Sequence, residues 1–392
     1  MKSMISFFGL FTLITINLFS QQSDFINDSG NNKKLQKVYR YCYVIESKDW
    51  YANQEKLWKE EISRNPQNEK AWYNYYFASR YADTNKDDKE RKQHLDLLVD
   101  KIEKAIPDSY LCPYLRYYNG DYKLENLEKA YQRKPDCADL YWDFILYNEI
   151  HMNKSLRKKF CEKLYSSKEI ISSLYDYNFN VLNSTEKNSI LFSNGDNDTY
   201  PIWILQDVKN VRSDVTLLNI HTVFVLRDYL KKKLDERGLA INLDNLSKDN
   251  IGFFFKELIL DIKKKYPEIS IHIAPTVYQD YIKEVNDKLY LTGLDYTYSE
   301  NQVENIPLIK KNLEQNVRLN YLDYDWYNEK HISQKLMDRY NLNYIPPFIE
   351  LAKMYFSNGD FGLSKYWQDK AMHLAQKVND DDLIQKIKEL KW

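Results

Sequence analysis

Between residues 189 and 298 short apolar runs alternate with helical stretches, and this alternation constrains the fold more than any other feature of the chain. Ser189-Ile190-Leu191-Phe192-Ser193 is an apolar run that rises to Asn194-Gly195-Asp196-Asn197-Asp198-Thr199, followed by the helical Tyr200-Pro201-Ile202-Trp203-Ile204-Leu205. The order is strand, loop, helix, with Thr199 or Asp198 as N-cap and Pro201 tolerated in the first helical turn. Val215 to Ile220 reads as a second strand, Thr222 to Arg237 as a helix closed by Gly238, and Phe253 to Lys265 as a helix stopped by Pro267. Ile269 to Ala274 is a third strand, and Leu289 to Tyr298 contains a fourth. Such alternation predicts a small α/β module over residues 186–305, with a mostly parallel sheet covered on both faces.

The flanks read as helix. Only 9 glycines stand against 34 tyrosines, 17 phenylalanines and 8 tryptophans, a composition that favours packed helices over an all-β sandwich. One helix should include Trp50 to Ile62 and stop before Asn65-Pro66; the next begins near Glu69 and carries Trp72, Tyr75, Tyr76 and Ser79 on one face. Asp83 to Lys92 reads as a solvated linker, and helix resumes through Leu95, Leu98, Ile102 and Ala105. Arg64-Asn65-Pro66 with Ala71-Trp72 is echoed by Arg133-Lys134-Pro135 with Leu140-Tyr141-Trp142, about two ~34-residue tetratricopeptide periods further on. Near the C-terminus Phe348, Leu351, Ala352, Tyr355, Gly359-Asp360, Ser364 and Ala371 follow the tetratricopeptide template, and Leu383 to Trp392 suits a capping helix. The expected architecture is therefore α plus α/β: tetratricopeptide-like helical repeats over 36–185 and 306–392, flanking the α/β module.

The N-terminus sets the expected compartment. Lys2 precedes an apolar stretch from Met4 to Phe19, then Ser20 and a polar run, the layout of a secretory signal peptide over residues 1–20. Residues 21–35 read as a disordered leader. The expected mature protein is periplasmic or secreted, without a membrane span, because no further apolar run reaches membrane length. With 56 basic against 57 acidic residues, nothing advertises a nucleic-acid partner. Cys42, Cys112, Cys137 and Cys161 lack the spacing of a zinc site; buried thiols and disulfides both remain open.

The candidate site is the acidic loop. In an open α/β sheet ligands bind outside the carboxyl ends of the strands, which places Asn194, Asp196, Asn197, Asp198 and Thr199 there, with Asn219 and His221 at the same edge. Aspartates repel the anions that helix N-termini attract, so the ligand chemistry is a divalent cation held by Asp196 and Asp198, or sugar hydroxyls. The competing reading is structural, since Asx side chains cap helices and bond nearby backbone. His272, inside a strand, is read as a satisfied core residue. No hydrolase, zinc-protease, P-loop or dinucleotide motif is present, so no catalytic residue and no resident cofactor is assigned.

Ile190 through Gln206, with Val211-Arg212-Ser213-Asp214-Val215, resembles the soluble C-terminal part of the domain-of-unknown-function 2723 family, which is related to a transmembrane protein O-mannosyltransferase. Tyr290-Leu291-Thr292-Gly293-Leu294-Asp295-Tyr296 resembles a second block of that family, and the stretch from Phe348 its tail, so the likeness spans roughly 186–378. In that family glycosyl transfer belongs to the multi-pass membrane half, which has no counterpart here. The resemblance therefore implies the accessory module; stacked helix pairs, which offer an extended concave surface, make the expected function an exported binding or scaffolding protein with a protein or glycan partner in the cell envelope. Its alternative is a glycan-binding or glycan-processing module built on Asp196-Asn197-Asp198.

Overall fold

The computed structural model describes residues 34–82, 88–324 and 330–390. The expected signal peptide and most of the expected leader lie outside the described residues. The described chain falls into two compact units divided after Glu169. No helix among the described residues is long and apolar enough to cross a membrane.

The first unit contains α1 (Lys48–Arg64), α2 (Glu69–Ala82), α3 (Asp88–Ala105), α4 (Leu111–Arg116), α5 (Leu124–Arg133), α6 (Ala138–Ile150) and α7 (Lys154–Ser167). Helix α3 begins at Asp88, so the second half of the expected linker is helical; 83–87 lie outside the described residues. The Pro66/Pro135 echo is a repeated structural device. Asn65 and Lys134 close their helices in nearly the same conformation, φ −138° and ψ 82° against φ −146° and ψ 75°. Each proline carbonyl then accepts a bond from a ring six residues on: Trp72 Nε1 at 2.8 Å and Tyr141 Oη at 2.7 Å. A residue before proline is pushed out of the α region, so a proline at the same place stops both helices, and the ring bond sets the re-entry. The aromatic excess is core packing: Trp142, Tyr51, Tyr76, Tyr114 and Phe77 are wholly buried. All four cysteines are free thiols, and burial pushes Cys112 and Cys137 up to about 11, which keeps them protonated and unreactive at neutral pH.

The second unit opens with α8 (Ser172–Ser184), expected within the N-terminal repeats but packed here against the sheet module. It continues through β1 (Ile190–Ser193), α9 (Tyr200–Lys209), β2 (Thr216–Asn219), α10 (Ile220–Val225), α11 (Arg227–Glu236), α12 (Ile251–Lys265), β3 (Ile271–Ile273), α13 (Gln279–Ile282), β4 (Leu289–Leu291), β5 (Tyr296–Tyr298) and α14 (Asn305–Lys311). The strand order is β2-β1-β3-β5-β4. β1 pairs parallel with β2 and β3, whereas β5 pairs antiparallel with β3 and β4. The sheet is therefore mixed, and the expectation of a mostly parallel one is corrected. The single strand expected over 289–298 is a hairpin, because Thr292 and Asp295 bond side chain to side chain at 2.9 Å and backbone to backbone at 3.1 Å across its turn. The helix expected over 222–237 is two helices broken at Leu226. Thr222, Val223 and Val225 are β-branched and poor helix formers, and Arg227 turns to lie 3.7 Å from the Phe254 ring centroid. Gly238 closes α11 at φ 71°, as expected.

The chain ends in α15 (Gln334–Asn341), α16 (Ile345–Ser357), α17 (Phe361–Lys377) and α18 (Asp381–Glu389). α16 and α17 form a hairpin turned at Gly359 (φ 81°) with Asp360 capping α17. Phe348, Leu351, Ala352, Ser364 and Ala371 fill the seam between them. The seam is that of a stacked helix pair, with small residues where the backbones approach closest. Two residues of the expected capping helix, Lys391 and Trp392, lie outside the described residues.

Candidate functional site

The carboxyl ends of β1, β2 and β3 meet at one edge, and the acidic loop sits there. Ser193 leaves β1 and its hydroxyl lies 2.7 Å from the Thr199 hydroxyl, closing the base of the loop. Asn219, the last residue of β2, donates from Nδ2 to the Asn194 carbonyl at 2.9 Å and to Thr199 Oγ1 at 3.1 Å. Its Oδ1 accepts from the Thr222 amide at 3.0 Å and so caps α10. Asn194, Thr199 and Asn219 are thus brought together as expected. Their bonds are to one another, to backbone and to the neighbouring Ser193 and Thr222 hydroxyls.

Asp198 is wholly buried and does not cap α9. Its Oδ2 accepts the Asn194 amide at 2.8 Å and the Thr276 hydroxyl, and its Oδ1 accepts the Gly195 amide at 2.7 Å. Burial holds this carboxyl above its ordinary pKa of 3.8, against the pull of those donors. Asp196, by contrast, is exposed. Among the described residues no group of three or more His, Cys, Asp or Glu side chains is placed to hold a metal ion. His221 stands at the edge on α10, exposed, with its ring edge-on to Tyr281 at 5.1 Å; Tyr281 in turn meets Tyr278 at 5.3 Å. His272 is buried: Nε2 accepts the Glu186 amide at 3.2 Å, and Nδ1 faces Asp295 and Thr297. It is a satisfied core residue.

Several residues of the site had no signal in the sequence. Thr276 reaches Asp198 from beyond β3, and Asn178 on α8 donates to the Asn197 carbonyl at 2.8 Å. Asn197 also hydrogen-bonds Tyr340 of α15. The side-chain oxygens of Asn178, Asn194 and Asn197 are buried with no protein donor in reach. Residues 174–229 match the family model of TMEM260-associated domain 2. That stretch takes in most of α8, all of β1, the acidic loop, α9, β2 and α10, so the match covers the β1 and β2 sides of the site. No curated protein matches the chain.

Inside the matched stretch Arg212 is the structural centre. It sits in the left-handed region at φ 46°. Its guanidinium donates to the carbonyls of Leu182 (2.8 Å), Thr185 (2.9 Å) and Glu186 (2.7 Å), tying off the end of α8. It also grips Asp214 at both oxygens, 2.9 and 3.0 Å. That grip, with the Asn188 amide, holds the Asp214 carboxyl down at about 2. A depressed carboxylate pKa adds stability above the ordinary value that is lost as pH falls through the folded one. Asp214→Asn should therefore cost about 1–2 kcal/mol at pH 7, after allowing for solvent screening, and almost nothing near pH 2. Urea titrations of both proteins at the two pH values check this, and an equal loss at both would refute it.

Proposed function

We propose that the chain is an exported binding and scaffolding protein of the cell envelope. Its helical hairpins supply the recognition surfaces, and its α/β module is an accessory relative of the soluble region of domain-of-unknown-function 2723 and transmembrane O-mannosyltransferase-related proteins. The observation that carries this reading is the Asp198 carboxylate, whose oxygens already accept the Asn194 and Gly195 amides and the Thr276 hydroxyl. An aspartate so engaged closes a loop; it is wholly buried, whereas Asp196 faces out. The C-terminal hairpin adds a cavity of ≈ 340 Å³, lined among others by Phe348, Tyr366, Lys370 and His373, which suits a partner's side chain.

A second reading, a glycan-binding edge, draws on the buried Asn194 and Asn197 oxygens and on the ring pair Tyr278 and Tyr281. Unpartnered acceptors favour a hydroxyl-rich ligand, and aromatic faces favour its apolar side. Thermal denaturation with Ca²⁺, Mg²⁺, Mn²⁺ and a panel of sugars separates the two. The scaffold reading expects no shift. A ligand at a hundred times its dissociation constant that adds about 2.7 kcal/mol to the wild type, but not to Asp196→Asn, would establish the edge as a site and overturn it.

A further inference from the structure

Residues 34–46 have neither helix nor paired strand along most of their length, yet they run through the first unit against α1, α2, α4 and α6. Val38 and Arg40 are buried while Lys37 is exposed, as in an extended chain lying in a groove. The chain then turns at 41–43, where the Tyr43 amide donates to the Arg40 carbonyl at 3.0 Å, and Cys42, Tyr43 and Val44 are all buried. The groove holds the backbone at every second residue. Gln54 of α1 accepts the Gln36 amide at 2.9 Å and donates to the Lys34 carbonyl at 3.0 Å. Trp58 Nε1 donates to the Gln36 carbonyl at 2.9 Å. Asn74 of α2, its own amide fixed by the Lys70 carbonyl at 2.7 Å, accepts the Val38 amide at 2.6 Å. These bonds read main chain only, so they would serve any extended peptide.

Selectivity comes from the next positions. Arg40 donates to Asp143 at 3.2 Å, to the Tyr114 hydroxyl at 3.2 Å and to the Asp139 carbonyl at 3.0 Å, with its guanidinium 5.0 Å from the Tyr118 ring centroid. Tyr41 stacks on Tyr81 at 3.9 Å, and Trp142 donates to the Tyr43 hydroxyl at 3.1 Å. Gln54 and Asn74 are 0% and 1% exposed with the segment in place, which both covers these side chains and supplies their main-chain partners.

We propose that this groove is a recognition site for an extended peptide bearing arginine between aromatic residues, and that residues 34–46 are its resident intramolecular occupant. The proposal rests on the binding-protein reading and gives it a partner class. The same clamps that hold the segment in cis would accept a matching peptide in trans whenever the segment lifts.

Native-state hydrogen exchange on the intact chain tests the first half. The Gln36 and Val38 amides should exchange at least tenfold faster than those of Tyr76 and Phe77 in α2. A chain cleaved at a protease site inserted between Glu46 and Ser47 tests the second. It should take up a fluorescent Lys34–Glu46 peptide saturably, and the Arg40→Ala form of that peptide at least tenfold more weakly. Exchange of Gln36 and Val38 only at the global unfolding rate overturns the proposal, and so does a folded, cleaved chain that takes up no peptide. Should the cleaved chain unfold, the exchange rates of the intact chain decide alone. Either failure leaves the ligand-stability test of the preceding section untouched, so the two readings fail separately.

Discussion

Asp198→Ala should lower the stability of the second unit by about 3–5 kcal/mol, because it strands the Asn194 and Gly195 amides and the Thr276 hydroxyl inside the protein. Asp198→Asn should cost less, about 2–3 kcal/mol, since one amide nitrogen then faces a backbone donor. The pH dependence carries a further signature. Burial raises this carboxyl above 3.8 in the folded chain. As pH climbs past 3.8 the unfolded chain releases the proton first, so the contribution of Asp198 is fully present below that value. It is lost as pH rises through the folded value. Urea unfolding of wild type and Asp198→Asn between pH 3 and 7 should show this falling component in the wild type alone. An Asp198→Ala protein within about 0.5 kcal/mol of wild type would mean the carboxylate does not hold the loop.

Arg40→Met should cost the first unit about 3–5 kcal/mol, since it leaves the Asp143 carboxylate buried without its cation. Both partners are sheltered, with side chains 9% and 10% exposed. Replacing both together, Arg40→Met with Asp143→Leu, should recover part of that loss, because no uncompensated charge then remains. Denaturant titration of the two single variants and the double one measures the coupling. Additive losses would mean that the pair contributes packing and no charge interaction.

The helical hairpins were legible because their signals are local. A proline after a helix excludes the α conformation just before it, so Pro66 and Pro135 mark the same turn wherever they occur. Gly359 with Asp360, and Gly238 after α11, likewise mark chain reversals by their own backbone freedom or capping side chain. The first parallel strands were legible too, as apolar runs next to a capping loop. The hairpin at 289–298 was not. Its turn is closed by Thr292 and Asp295, and it exists where it does because Gly293 lets Ser184 and Asn312 approach closer than any side chain would allow. Periodicity carries no trace of those two distant partners.

The candidate site divides in the same way. That Asn194 to Thr199 and Asn219 gather at one sheet edge follows from strand order alone, once three strands run parallel. Which oxygens remain free at that edge does not. Thr276, Asn178 and Tyr340 come from beyond β3, from α8 and from α15, and they decide that Asp198 turns inward while Asp196 faces out. Sequence by itself determined what depends on neighbouring residues: helix ends, apolar periodicity and the acidic loop. Tertiary structure decided burial, and with it which charges are consumed, because a carboxylate's protonation and availability depend on every group the fold brings within a few ångströms.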